Sequence, residues 1–152
     1  MTRYAVLLRG INVGGARMTM VELRAALAPL PLGAVATVLA TGNVVGTFDG
    51  DAEQLGVLVE QALSDAFGYD ARVVVVAATR LAALLEACPY PPDAPGTHTY
   101  LTFARDPSVL DELAVAVAAQ DPAETATRLG PEVVAWQAPV GGRGGPVRFR
   151  RR

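Results

Sequence analysis

The chain has 152 residues, half of them apolar, with 13 arginines, no lysine, 15 acidic residues and a formal net charge of −2. That length suits one compact domain or two small ones and is enough to bury a core. The apolar run Val73 to Ala78, like every other apolar run in the chain, falls far short of the roughly 20 residues of a membrane span. Without lysine, neither a Walker-type phosphate loop nor Schiff-base chemistry is available, and the lone Cys88 excludes an internal disulfide.

Charge is divided unevenly. Residues 1–142 carry 8 arginines and all 15 acids, a balance of 8 − 15 = −7, whereas the last ten residues carry 5 arginines and no acid. An acidic body argues against a broad phosphate-binding face on the folded part. The direct start on a strand pattern, with no charged-then-apolar leader, predicts a cytoplasmic protein.

In chain order, residues 3–8 read as a strand that runs into the Gly-rich turn Gly10-Ile11-Asn12-Val13-Gly14-Gly15. Thr19 and Glu22 have capping-box spacing, opening a helix whose apolar stripe is Met20, Leu23, Leu27 and Leu30. Pro29 and Pro31 end it. Residues 34–40 and 43–48 read as two strands turned at Thr41-Gly42. Asp51 and Gln54 repeat the capping spacing before a helix with Leu55, Leu58, Val59, Ala62, Leu63 and Ala66 on one face, stopped at Gly68. Val73–Ala77 is a continuous β-branched strand.

A short helix from Thr79 to about Ala87 leads into the Pro89–Pro95 loop, the clearest boundary in the chain. Thr97–Ala104 alternates as a strand. Asp106-Pro107 opens a helix with Pro at its first position, directing Val109, Leu110, Leu113 and Val117 inward. Strands near 124–129 and 132–137 follow, turned at Gly130-Pro131. The order is βαββαβ, then βαββ. The expected class is α+β: two ferredoxin-like subdomains in tandem, the second lacking its last helix and strand. The corresponding segments are 1–78, a connection 79–96, an incomplete second unit 97–140, and a Gly/Arg-rich, disordered tail 141–152.

The only isoleucine and the only two asparagines fall in two short stretches, Leu8–Gly15 and Thr41–Val45. Tyr4 to Gly15, then Met20, Leu23-Arg24, then Thr41-Gly42-Asn43-Val44-Val45, resemble the bacterial domain-of-unknown-function family 1697 over roughly residues 1–140. That resemblance implies two ferredoxin-like subdomains and no catalytic residue. It also implies Gln-Ser and Phe around the hairpin motif, where this chain has Ala40-Thr41 and Gly46. Past position 140 it implies a loop, a helix and a final strand, where this chain reads Gly141-Gly142-Arg143-Gly144-Gly145-Pro146-Val147-Arg148-Phe149-Arg150-Arg151-Arg152. A truncated or frame-shifted C-terminus is the expectation.

Ferredoxin-like topology brings the turn after the first strand, the 41–42 hairpin and the Gly68-Tyr69-Asp70 loop to one end of the sheet. The candidate ligand-binding residues are therefore Arg9, Gly10, Asn12, Gly14, Gly15, Arg17, Thr41, Gly42 and Asn43, with Tyr69 nearby. Two arginines beside backbone N–H groups near a helix start suit a small anion or a phosphate-bearing ligand. A purely structural role competes: glycines supply left-handed turns, Arg9 pairs with a carboxylate, and Asn12 and Asn43 cap loops.

Other chemistries find little support. The turn reads G-x-x-x-G-G, not a dinucleotide fingerprint. Ser64 and Ser108 lie within helices, His98 shares a strand face with Tyr100 and Thr102 and is expected to be partly exposed, and Cys88 is expected to be buried and structural. No metal-ligand spacing occurs and no cofactor is implied. The alternative function is an RNA-binding or protein-interaction module using the sheet and the tail arginines Arg143, Arg148, Arg150, Arg151 and Arg152, although the first and third strands lack the usual aromatic pattern.

Overall fold

A computed structural model describes residues 1–12, 17–39, 42–92, 94–120 and 126–140. It is α+β and divides into two compact units between Ala83 and Leu84. The first contains β1 (Thr2–Leu8), α1 (Met20–Leu27), β2 (Gly33–Val38), β3 (Asn43–Phe48), α2 (Ala52–Phe67) and β4 (Val73–Ala77); α3 (Ala78–Ala87) crosses the division. The second contains β5 (Thr97–Phe103), α4 (Pro107–Gln120), β6 (Ala126–Gly130) and β7 (Val133–Pro139).

The first sheet has strand order β2-β3-β1-β4, every neighbour antiparallel. Strand alternation sends Tyr4 and Val6 of β1 into one core with Val44 and Phe48 of β3 and Val73 of β4. Leu23 and Leu27 of α1 and Leu55, Val59 and Leu63 of α2 complete it, all at most 1% exposed. Each such leucine contributes about 1.5–3 kcal/mol by leaving water. Ala66, expected on the same stripe, is exposed, because the buried faces of α2 fall at i, i+4 and i+8 from Leu55. Both helix starts carry complete capping boxes, Thr19 with Glu22 and Asp51 with Gln54. Gly68 closes α2 in the left-handed conformation at φ 65°, which costs glycine nothing.

Several boundaries differ from the sequence pattern: α1 ends at Leu27, so Leu30 of the expected stripe lies beyond it, and α3 and β5 are displaced by one residue at one end. β2 stops at Val38 because Leu39 takes a positive φ of 61°, and a register shift between Gly33 and Ala36 accompanies a positive φ at Ala34. β7 runs on to Pro139, held against β5 throughout.

The second sheet has order β5-β7-β6, again antiparallel. Leu110, Leu113 and Val117 of α4 pack on Val134, Trp136 and Ala138 of β7. Val109, expected inward, is 39% exposed; the buried stripe at i, i+3 and i+7 from Leu110 leaves it on the flank. Trp136 stacks on Tyr100 at 4.7 Å and donates its indole N–H to Thr102.

Candidate functional site

The candidate end of the first unit is built on the last residues of β1. The Leu8 N–H donates to the Gly42 carbonyl at 3.3 Å, and the Arg9 N–H donates to the Arg72 carbonyl at 3.1 Å. β1 is thus bracketed by the β2–β3 connection on one side and the α2–β4 loop on the other. Ile11 is the join between the two rare-residue stretches. Its side chain is 4% exposed and lies against the Cα of Gly42, which has φ 87°. A Cβ at position 42 would sit within 3.0 Å of Ile11 Cγ1 and 3.3 Å of Leu8 Cβ. The stretches therefore do meet, through a packing contact that only glycine permits.

Asn12 has φ 56°, a left-handed conformation that asparagine tolerates better than most residues. Its amide closes a ring on one backbone residue: Nδ2 donates to the Met18 carbonyl and the Met18 N–H donates to Oδ1, both at 3.0 Å. Asn12 therefore ties the ends of the 12–18 segment together, while Met18 is buried in the core at 5% exposure. Arg17, next to that clamp, is exposed.

The start of α1 is already served. The Thr19 N–H donates to the Glu22 carboxylate at 2.7 Å, and the Glu22 N–H donates to the Thr19 hydroxyl at 3.1 Å. These bonds hold the Glu22 carboxyl below the usual carboxylate range. A carboxylate of the chain itself thus occupies the position where the helix dipole favours an anion.

Arg72 is the residue that sequence reasoning missed. The register Leu8↔Val73 continues into the Arg9–Arg72 bond, so the two arginines stand directly opposite each other on the sheet face away from α1 and α2. Like charges facing across strands are destabilising. The only signal in sequence was the position of Arg72 just before the β-branched run. Arg72 reaches Asp70 at 3.3 Å, both side chains largely exposed; among the described residues no partner faces the Arg9 guanidinium. Tyr69, half-buried beside the core, has its phenol pushed up by desolvation. The loop is fixed by the Ala71 N–H, which donates to the Tyr69 carbonyl at 3.0 Å and the Ser64 hydroxyl at 3.3 Å.

Gly10 has φ 72° with open space around its Cα, and Asn43 begins β3 opposite Leu7. Gly14, Gly15, Thr41 and the tail arginines Arg143, Arg148, Arg150, Arg151 and Arg152 lie outside the described residues. Cys88 is half-buried rather than buried, its thiol 3.6 Å from the Tyr90 carbonyl, because the chain turns out of α3 there. His98 is exposed and meets Tyr100 edge-on at 6.2 Å. An open groove of about 580 Å³ lies at the opposite end of β3, lined by Phe48, Asp51, Glu53, Gln54, Val57 and Leu58. Its acidic rim, with Asp51 and Gln54 spent on the α2 cap, is unsuited to an anion.

The family model for proteins of unknown function, DUF1697, matches residues 1–134. The chain belongs to the DUF1697 family. A solved structure, the conserved bacterial protein SP0830 from Streptococcus pneumoniae, is similar at 27% identity and a TM-score of 0.72, over 90% of this chain and 76% of that one. No curated protein matches this DUF1697 chain. Among its described residues no helix is long and apolar enough to cross a membrane.

Proposed function

We propose that this bacterial, cytoplasmic protein binds a small anionic or phosphate-bearing ligand at the rim formed by Arg9, Arg72 and the 10–17 turn. The observation that carries the reading is the Arg9–Arg72 pair: two guanidinium-bearing residues set directly opposite each other by a backbone bond, with one exposed carboxylate, Asp70, beside them. An anion between them would remove the repulsion and accept bidentate hydrogen bonds. Gly10, Asn12, Gly14, Gly15, Arg17, Thr41, Gly42 and Asn43 serve in this reading as the frame, Asn12 and Gly42 by holding the loops.

The same reading takes the chain as two ferredoxin-like units, 1–78 and 97–140, joined by 79–96, the second without a last helix and strand. The shared strand order, β2-β3-β1 against β6-β7-β5, supports it. The RNA or protein-interaction alternative depends on the arginines of 143–152.

The test is a thermal-shift titration with inorganic phosphate at constant ionic strength. A saturable rise in Tm is expected for the native chain and its loss in Arg9→Ala and Arg72→Ala. A rise that survives both substitutions, or none at all, would overturn the proposal. A rise with short RNA only, collapsing as salt increases and on removal of 143–152, would favour the alternative.

A further inference from the structure

We infer that the site at Arg9 and Arg72 takes a phosphate monoester of a short alkyl or aryl alcohol, with the apolar group lying on Leu7 and Val74. This rests on the anion reading of the two arginines and adds what the anion is attached to. Leu7 pairs with Val74 across β1 and β4, two residues before Arg9 on one strand and two after Arg72 on the other. Strand alternation therefore puts all four side chains on one face. The core on the other face takes Leu8, Val73 and Val75 instead, and Leu7 and Val74 are only half-buried. A charged pair thus stands directly beside an accessible apolar pair.

The register also sets the size and polarity of the attached group. Successive same-face pairs are about 7 Å apart along a sheet, roughly the reach of a phenyl ring or a butyl chain from the phosphorus atom. The next pair along, Ala5 opposite Val76, is 7% and 5% exposed, so the accessible strip ends one pair beyond the arginines. Sideways, Leu7 meets Asn43 of β3, which confines the apolar surface to β1 and β4. Neither Leu7 nor Val74 offers a side-chain hydrogen bond to a sugar or glycerol hydroxyl. An inorganic ion would leave both of them wet, whereas an alkyl or aryl ester covers them and adds a hydrophobic gain to the arginine bonds. Two guanidinium groups also suit the three terminal oxygens of a phosphate monoester better than the two of a carboxylate.

The experiment is calorimetric titration of the full chain with inorganic phosphate, butyl phosphate, phenyl phosphate and glycerol phosphate. One ionic strength is used, at about pH 8, where the phosphates are dianions. Butyl and phenyl phosphate should bind on the order of tenfold tighter than inorganic phosphate, and glycerol phosphate no tighter than inorganic phosphate. Val74→Thr keeps the β-branched shape but puts a hydroxyl in the strip, and it should bring the ratio of phenyl to inorganic phosphate affinity close to one. In the native chain, which needs no variant to fold, the methyl resonances of Leu7 and Val74 should shift with phenyl phosphate far more than with inorganic phosphate. Inorganic phosphate that binds, and is lost in Arg9→Ala, with no gain for the two apolar esters overturns this inference and leaves the anion reading standing. A gain that survives Val74→Thr, is matched by glycerol phosphate, or leaves the methyl resonances unmoved does the same. If none of the four ligands binds, the anion reading falls and this inference falls with it.

Discussion

Replacing Gly42 by alanine tests the contact that unites the two rare-residue stretches. At φ 87° an L side chain sits in the left-handed region, which costs about 1–2 kcal/mol. The added methyl would also press on Ile11 and Leu8, with Cγ1 of Ile11 at 3.0 Å, and overpacking of a tight core typically costs about 1–3 kcal/mol. Reduced freedom of the unfolded chain returns only about 0.4–1 kcal/mol. The net expectation is a loss of about 2–4 kcal/mol. Ile11→Ala alone should cost about 2–5 kcal/mol by leaving a cavity. The two effects should not add. Once Ile11 is truncated, the new methyl has room, so the double variant should be more stable than the sum predicts by about 1–2 kcal/mol. Urea unfolding followed by far-ultraviolet circular dichroism gives each value. Losses that add to within about 0.5 kcal/mol would mean that Gly42 is needed for its backbone angle alone and that Ile11 does not hold the hairpin.

Two further outcomes follow from the same end of the molecule. Asn12→Gly keeps a residue suited to φ 56° but removes both bonds to Met18; a loss of about 1–3 kcal/mol in urea unfolding is expected, and unchanged stability would show that the clamp is incidental. Glu22 is held ionised by its bonds to Thr19, so its contribution is present above the usual carboxylate range and disappears as pH falls through its lowered folded value. The Tm difference between the native chain and Glu22→Ala should therefore narrow on acidification, and a gap that stays constant or widens would remove the capping box as its source.

Local rules made much of the chain legible. Capping spacing located the starts of α1 and α2, Gly68 located the end of α2, and a β-branched run located β4. Each depends on neighbours a few residues apart, which sequence displays directly. Faces were less legible: Val109 and Ala66 carry apolar side chains but lie off the buried stripe, because the stripe's width is set by what packs against it. Leu39 ends β2 through a backbone angle that leucine gives no reason to expect.

By itself, then, the sequence determined the order and type of elements and singled out two stretches in which Gly10, Asn12 and Gly42 adopt left-handed backbone. It did so because helix caps, turn chemistry and apolar periodicity act over short distances along the chain. Only the tertiary structure decided that Ile11 seats on Gly42, that Asn12 closes on Met18, and that Arg9 faces Arg72. Those facts depend on strand register. A one-residue shift would have turned Arg72 to the other face and left Arg9 opposite Ala71 or Val73.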